Sequence, residues 1–203
     1  MAKSSSSGCL KWVPLLVIVG ILIILSIWVM NMFNKMVSHE ETVNESWAQV
    51  ENVYQRRSDL IPNLVATVKG YAAHEKETLE GVIKARAEAT SVKIDPSNLN
   101  AESLQKFQAA QDGLSSSLSK LMVVVERYPD LKANTNFLEL QGQLEETENL
   151  IAVERKRFNE TAREYNTYIR KFPKNIVAGL FGFDKKAYFE AAEGADKVPE
   201  VKF

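Results

Sequence analysis

W-V-P-L-L-V-I-V-G-I-L-I-I-L-S-I-W-V-M-N-M-F, Trp12 to Phe33, carries no charged side chain, and none occurs between Lys11 and Lys35. At about 1.5 Å rise per residue, roughly 20 apolar residues match a hydrocarbon core of about 30 Å, so this stretch is long enough to cross a bilayer as one helix. A buried core helix would show a polar face, and none is visible. A cleaved secretory signal needs small residues after its apolar run, whereas Trp28-Val29-Met30-Asn31-Met32-Phe33 is bulky throughout, and Cys9 precedes the run where a lipoprotein cysteine would follow it. Trp12 and Trp28 suit the headgroup level at either end. Residues 12–33 are therefore read as an uncleaved single-pass anchor, preceded by a Ser-rich tail, 1–11, expected to be disordered. Lys3 and Lys11 lie before the anchor and only Lys35 lies close behind it, which by a margin of one lysine puts the amino terminus inside and the bulk of the chain outside.

The remainder, 34–203, is long enough for one domain with its own core. Its charges balance, with 25 Lys plus Arg against 26 Asp plus Glu in the whole sequence, and no basic run suggests nucleic acid. A single Cys rules out an intramolecular disulfide and a cysteine metal site. The few Gly and Pro fall mostly where helices would end, which favours an all-α chain.

Apolar residues then recur at steps of three and four: Trp47, Val50, Tyr54, Ile61, Leu64, Val68, Tyr71, Val82, Ala85 and Ala89. That seam predicts one long helix over about 38–93, kinked at Pro62 because proline removes a donor and crowds the Ser58 carbonyl. The seam positions that are not apolar are Arg57, Glu75 and Thr78. A second helix is predicted over 99–128, capped by Asn98 or Asn100, with Gln111 the polar member of its seam. A third spans 135–172, with Asn134, Thr135 and Asn136 as cap candidates and Glu139 placed to complete a capping box on Asn136. Residues 173–183 form an apolar, glycine-broken loop, and a short helix over 184–193 precedes an extended end. Folded antiparallel as a bundle with a coiled-coil-like seam, the three long helices would leave 34–46 as an unpartnered stalk and put the 173–183 loop at the far end from the lipid.

Four ordered motifs carry a resemblance: E-N-V-Y-Q-R-R-S-D-L-I-P-N-L-V in Glu51–Val65, E-R-Y-P-D-L-K-A-N in Glu126–Asn134, E-R-K-R-F-N-E-T-A-R-E-Y-N in Glu154–Asn166, and F-P-K-N-I-V-A-G-L-F-G-F in Phe172–Phe183. Together with the anchor, they resemble the bacterial LemA family. The resemblance implies an anchored antiparallel helical bundle at the bacterial inner membrane, with no established enzymatic activity. It also implies a possible partner, a membrane zinc metalloprotease of the HtpX type.

Chemistry is sparse in the residues themselves. His39 and His74 each precede a Glu, but neither has a second His four residues on, so the two-histidine helical zinc site is missing. There is no phosphate-binding Gly-Lys-Ser/Thr loop and no Gly-x-Ser-x-Gly elbow. No cofactor or metal is expected, and the chain reads as a non-enzyme. The best polar constellation is Arg56, Arg57 and Asp59 beside Pro62, with Glu75 and Glu154 on neighbouring seams. A ligand or catalytic site is one reading of it; an ion network fixing helix register is the favoured one. Ile176, Val177, Leu180, Phe181 and Phe183 form an apolar group that either meets a partner or caps the bundle's own core. The expected role is a membrane-anchored scaffold or adaptor that self-associates.

Overall fold

The computed structural model describes residues 12–190. Helix α1, Val13–Tyr71, is a single element of 59 residues that contains both the apolar anchor and the first stretch of the bundle. Helices α2, Lys76–Ser91, α3, Ala101–Val125, α4, Pro129–Lys132, α5, Thr135–Arg170, and α6, Lys174–Phe181, follow, with one 3-10 turn, Pro96–Asn98, between α2 and α3. There is no strand among the described residues. The expected disordered tail lies outside them.

The predicted helix over 38–93 breaks in two. Helix α1 stops at Tyr71, the Ala72 amide closing onto the Val68 carbonyl at 2.8 Å, and after a four-residue turn α2 runs back along α1. Here Pro62 does its work. It leaves the Ser58 carbonyl without its helical donor, and Arg86 of α2 supplies one, its Nε donating to that oxygen at 2.8 Å. The proline thus marks where α2 docks.

This extra reversal changes every later direction. Helix α3 runs outward, α4 turns at the far end, and α5 returns along the whole bundle part of α1. The pairing of α1 with α5 is tied at the far end by Tyr71 Oη accepting from Asn134 at 2.9 Å, midway by Ser46 and Thr161 at 2.7 Å, and near the anchor by His39 against Tyr168, ring centroids 4.6 Å apart. Two expectations are corrected. Residues 34–46 are no free stalk, since Met36 and Val43 are fully buried. The 173–183 segment lies at the membrane end, where the Phe181 and Phe183 rings meet Phe33 at 5.1 and 5.4 Å.

Local signals account for the helix ends. Asn100 caps α3, accepting from the Ser103 amide at 2.8 Å, and of the candidates Asn134, Thr135 and Asn136 it is Asn134 that caps α5, accepting from the Phe137 amide at 3.0 Å, so the box expected on Asn136 does not form. The loop expected at 173–183 is helical over Lys174–Phe181 because its glycines come late: Gly179 falls in the last turn, and Gly182, at φ +76°, ends the helix in the left-handed conformation glycine tolerates. The helix expected over 184–193 does not form within its described part. Residues 184–190 instead make an extended strap across the bundle.

The core falls into two clusters. The membrane-end cluster holds Met36, Val43, Trp47, Tyr54, Phe107, Ile151, Phe158, Tyr165, Val177 and Phe189. The outer cluster holds Ile61, Leu64, Val68, Val82, Leu114, Leu121, Phe137 and Leu144.

Candidate functional site

Between the two clusters lies a polar layer. On α1 it is Arg57, between Tyr54 and Ile61; on α3 it is Gln111, between Phe107 and Leu114; on α5 it is Glu148, between Leu144 and Ile151. Arg57 is only 1% exposed. Its Nη1 donates to Glu148 Oε1 at 2.7 Å and to Ser115 Oγ at 2.9 Å, and its Nη2 donates to the Gln111 side-chain oxygen at 2.6 Å and the Gln111 carbonyl at 3.3 Å. The guanidinium also stands 5.1 Å from the centre of the Tyr54 ring. Gln111 passes the connection on, its Nε2 donating to the Ala89 carbonyl near the end of α2 at 3.2 Å. Two side chains, Arg57 and Gln111, thereby link four helices.

This arrangement sets limits on chemistry. Both terminal nitrogens of Arg57 are engaged by protein acceptors, so no fork of donors is free for a carboxylate or phosphate. An adjoining surface hollow of about 370 Å³, lined by Glu51, Tyr54, Ser58, Thr90, Lys93 and Gln111, contains no histidine or cysteine. Burial pushes the Glu51 carboxyl and the Tyr54 phenol above their ordinary values. No group of three or more metal-ligating side chains occurs among the described residues.

The remaining candidates are scattered. Arg56 pairs with Glu146 at 2.9 Å on the surface, and Asp59 accepts from Gln55 within α1. Glu75 sits at the far end, accepting from Arg127 and from the Tyr128 hydroxyl, each at 3.0 Å. Glu154 lies 3.8 Å from Arg157 on its own helix. The five charged residues therefore belong to separate places, and only Arg57 is central. Its true partners, Gln111, Ser115 and Glu148, were not on the charged seam; Gln111 alone was signalled, as the one polar residue on an apolar stripe.

A second constellation holds the strap. Asn166 grips Lys186 at both backbone positions, donating to its carbonyl at 2.8 Å and accepting from its amide at 2.9 Å, and Asn159 grips Phe189 in the same way at 3.0 and 2.8 Å. Seven helical residues and three extended residues both cover about 10 Å, so two asparagines a heptad apart match every third residue of an extended chain. Lys186, buried, reaches Glu40 on α1 at 2.8 Å, and the Ala187 amide bonds the Leu99 carbonyl at 2.9 Å. Phe189 completes the strap by stacking on Trp47 at 6.0 Å. Both asparagines stand in the Glu154–Asn166 motif, whose physical role is this clamp.

At the membrane end the apolar candidates divide. Val177 is buried against the core, while Ile176, Leu180 and Phe181 are exposed and Phe183 is half-buried against Phe33.

The LemA family model matches residues 46–203 of the chain. Magnetosome protein MamQ 2 of Paramagnetospirillum magneticum is 28% identical over 181 residues, covering 81% of this chain and 66% of that protein. Magnetosome protein MamQ of Magnetospirillum gryphiswaldense is 27% identical over the same length, with the same coverage. Protein LemA of Metamycoplasma hominis is 22% identical over 160 residues, 79% of this chain and 69% of the other. The match thus spans just under two thirds of the magnetosome relatives' own length.

Proposed function

Because the chain belongs to the LemA family, we propose that it works as a non-enzymatic membrane adaptor, one that self-assembles or gathers membrane partners through a rigid bundle. The observation that carries this reading is the continuity of α1. The same 59-residue helix provides the apolar span and the bundle's central staff, so no flexible linker separates lipid from protein. By the helical rise it measures about 88 Å, of which the apolar span takes roughly the first 30 Å. A bundle joined to its anchor in this way keeps a fixed height and tilt above the bilayer, which suits holding partners at set positions. The interior supports the same reading: its buried charges, Arg57 and Lys186, are both bonded within the chain, to Glu148 and Gln111 and to Glu40. None of the relatives' names states a reaction.

Orientation with the amino terminus inside follows from the lysine balance and belongs to this proposal. Crosslinking in native membranes, followed by mass measurement in detergent, tests the adaptor reading. The expected result is a defined multimer or a stable complex with a membrane protein. A strict monomer without partners, or turnover of a small substrate by the purified chain, would overturn it. Recovery of a membrane zinc metalloprotease with the chain would specify the adaptor's partner.

A further inference from the structure

We propose that α6 is a second membrane contact: an interfacial helix whose apolar face lies in the phospholipid boundary beside the point where α1 leaves the bilayer. The inference rests on the anchor reading of residues 12–33 and goes beyond it by assigning a lipid surface to a segment far away in sequence.

Position is the first argument. The charge-free stretch ends between Phe33 and Lys35, which places Phe33 at the edge of the hydrocarbon. The Phe181 and Phe183 rings touch Phe33 edge-on at 5.1 and 5.4 Å. Contact also reaches deeper. Met32 is buried in the cluster that contains Val177 and Ala178 of α6, and Val29 packs against that cluster one helical turn further into the apolar span. A turn is about 5–6 Å, and interfacial helices sink about 5–10 Å into the headgroup and acyl boundary. Keeping this end of the cluster in water would require pulling the turn that holds Val29 out of the lipid. Seating α6 in the interface does not.

Pattern is the second argument. Ile176 and Leu180, four apart on α6, are 62% and 77% exposed, and Phe172 just ahead of the helix is 81% exposed, while Val177 and Ala178 on the other side are buried. That is an amphipathic element whose inner face is taken by the bundle and whose outer face has no cover from the described residues. Cations flank it where phosphates would lie: Lys35, Arg170 and Lys171 are exposed, and Lys174 holds its ammonium 3.6 Å above the Tyr168 ring. Long basic side chains beside an apolar face suit a boundary between acyl chains and headgroups.

The test uses the full chain with Cys9→Ser, carrying one environment-sensitive fluorophore on Leu180→Cys, Val123→Cys or Ile21→Cys. Each protein is reconstituted in vesicles of phosphatidylcholine and phosphatidylglycerol, and quenching is read from bromine on the lipid chains and from iodide in water. The label at position 180 is expected to be quenched several-fold more by lipid bromine than the label at 123, which is exposed on α3, and to be shielded from iodide. Unchanged helical melting of the Leu180→Cys protein shows that the fold is intact. If the 180 label behaves like the 123 label while the 21 label is quenched by lipid, the anchor stands and α6 is not in the membrane. A 180 label shielded from both quenchers means that protein, such as a second copy, covers the face, which also overturns the assignment. A 21 label open to iodide contradicts the anchor reading itself.

Discussion

The two halves of the core are built from different materials. Toward the membrane, Trp47 meets Phe107 at 5.3 Å, Phe158 at 5.6 Å and Phe189 at 6.0 Å, and Tyr54 meets Phe107 at 5.0 Å. Away from it, Ile61, Leu64, Val68, Val82, Leu114, Leu121 and Leu144 surround one fully buried ring, Phe137. The difference follows from what each half must join. In the outer half helices lie directly on helices, and aliphatic ridges fill the spacing between axes. In the membrane-end half an extended strap has no ladder partner of its own. Side-chain amides hold its backbone, and large rings bridge its distance from the helices. The half next to the apolar span thus adds a strap held by side-chain amides and rings, whereas the outer half is helix on helix throughout.

This contrast can be broken most severely at Trp47. Trp47→Ala empties the centre of the ring cluster and is expected to cost about 3–5 kcal/mol. Hydrogen exchange should accelerate in residues 184–190 and in the lower part of α5, with α2 little changed; equal acceleration in α2 would mean the two halves are one unit. Arg57→Ala is expected to cost about 2–5 kcal/mol in denaturant melts, since it opens a cavity and leaves Gln111 without its buried partner, while the half-exposed Glu148 stays solvated. Its signature differs, because the loss should spread to both halves at once. Arg57→Met fills the space without demanding partners and should recover much of that stability; failure to recover would show that the polar layer supplies net energy as well as register.

Asn166→Ala sharpens the comparison at smaller cost. It strands a strap carbonyl and amide and should destabilise by about 1–3 kcal/mol, read as faster exchange at Lys186 and nearby amides. Asn159→Ala should act likewise at Phe189.

Alkali offers a milder probe. Burial first, then the charges of Glu40 and Asp184, push the Tyr165 phenol far above its ordinary value of 10.0, and burial likewise raises Tyr54. Both phenols stay protonated in the fold when an unfolded chain would release their protons, so their contribution is intact below about pH 10 and is lost as pH rises from there through the raised folded values. Tyr54 and Tyr165 both lie in the membrane-end cluster. Exchange measured at rising pH should therefore open that half before α2.

Much of this architecture was legible in the sequence. The long N-terminal apolar helix, the all-α class, the seams of α3 and α5, and the Asn100 cap follow from length, periodicity and capping chemistry. The break after Tyr71 was hidden because Ala72-Ala73-His74-Glu75 contains no glycine or proline and the apolar phase resumes beyond it. Its trace was the gap at Glu75 and Thr78, two polar residues in succession on an apolar stripe. Missing that turn inverted everything downstream, including the place of α6. Arg57 stood out as a charge on a buried seam. Its partners did not, since Glu148 sits beside the stripe and Ser115 among other serines. The strap has no periodicity of its own; its signal lies in Asn159 and Asn166 on another helix.

On the proposed arrangement the apolar span and the bundle move as one rigid piece, with no free stalk between them. Spin labels placed singly along residues 34–46 of the full chain in lipid, read for oxygen and water access, test it most directly. Helical periodicity is expected to continue from the apolar span, with the positions of Met36 and Val43 shielded from both reagents. Uniform water access across 34–46 would contradict it, because it would show the bundle held away from the bilayer on an uncovered stem.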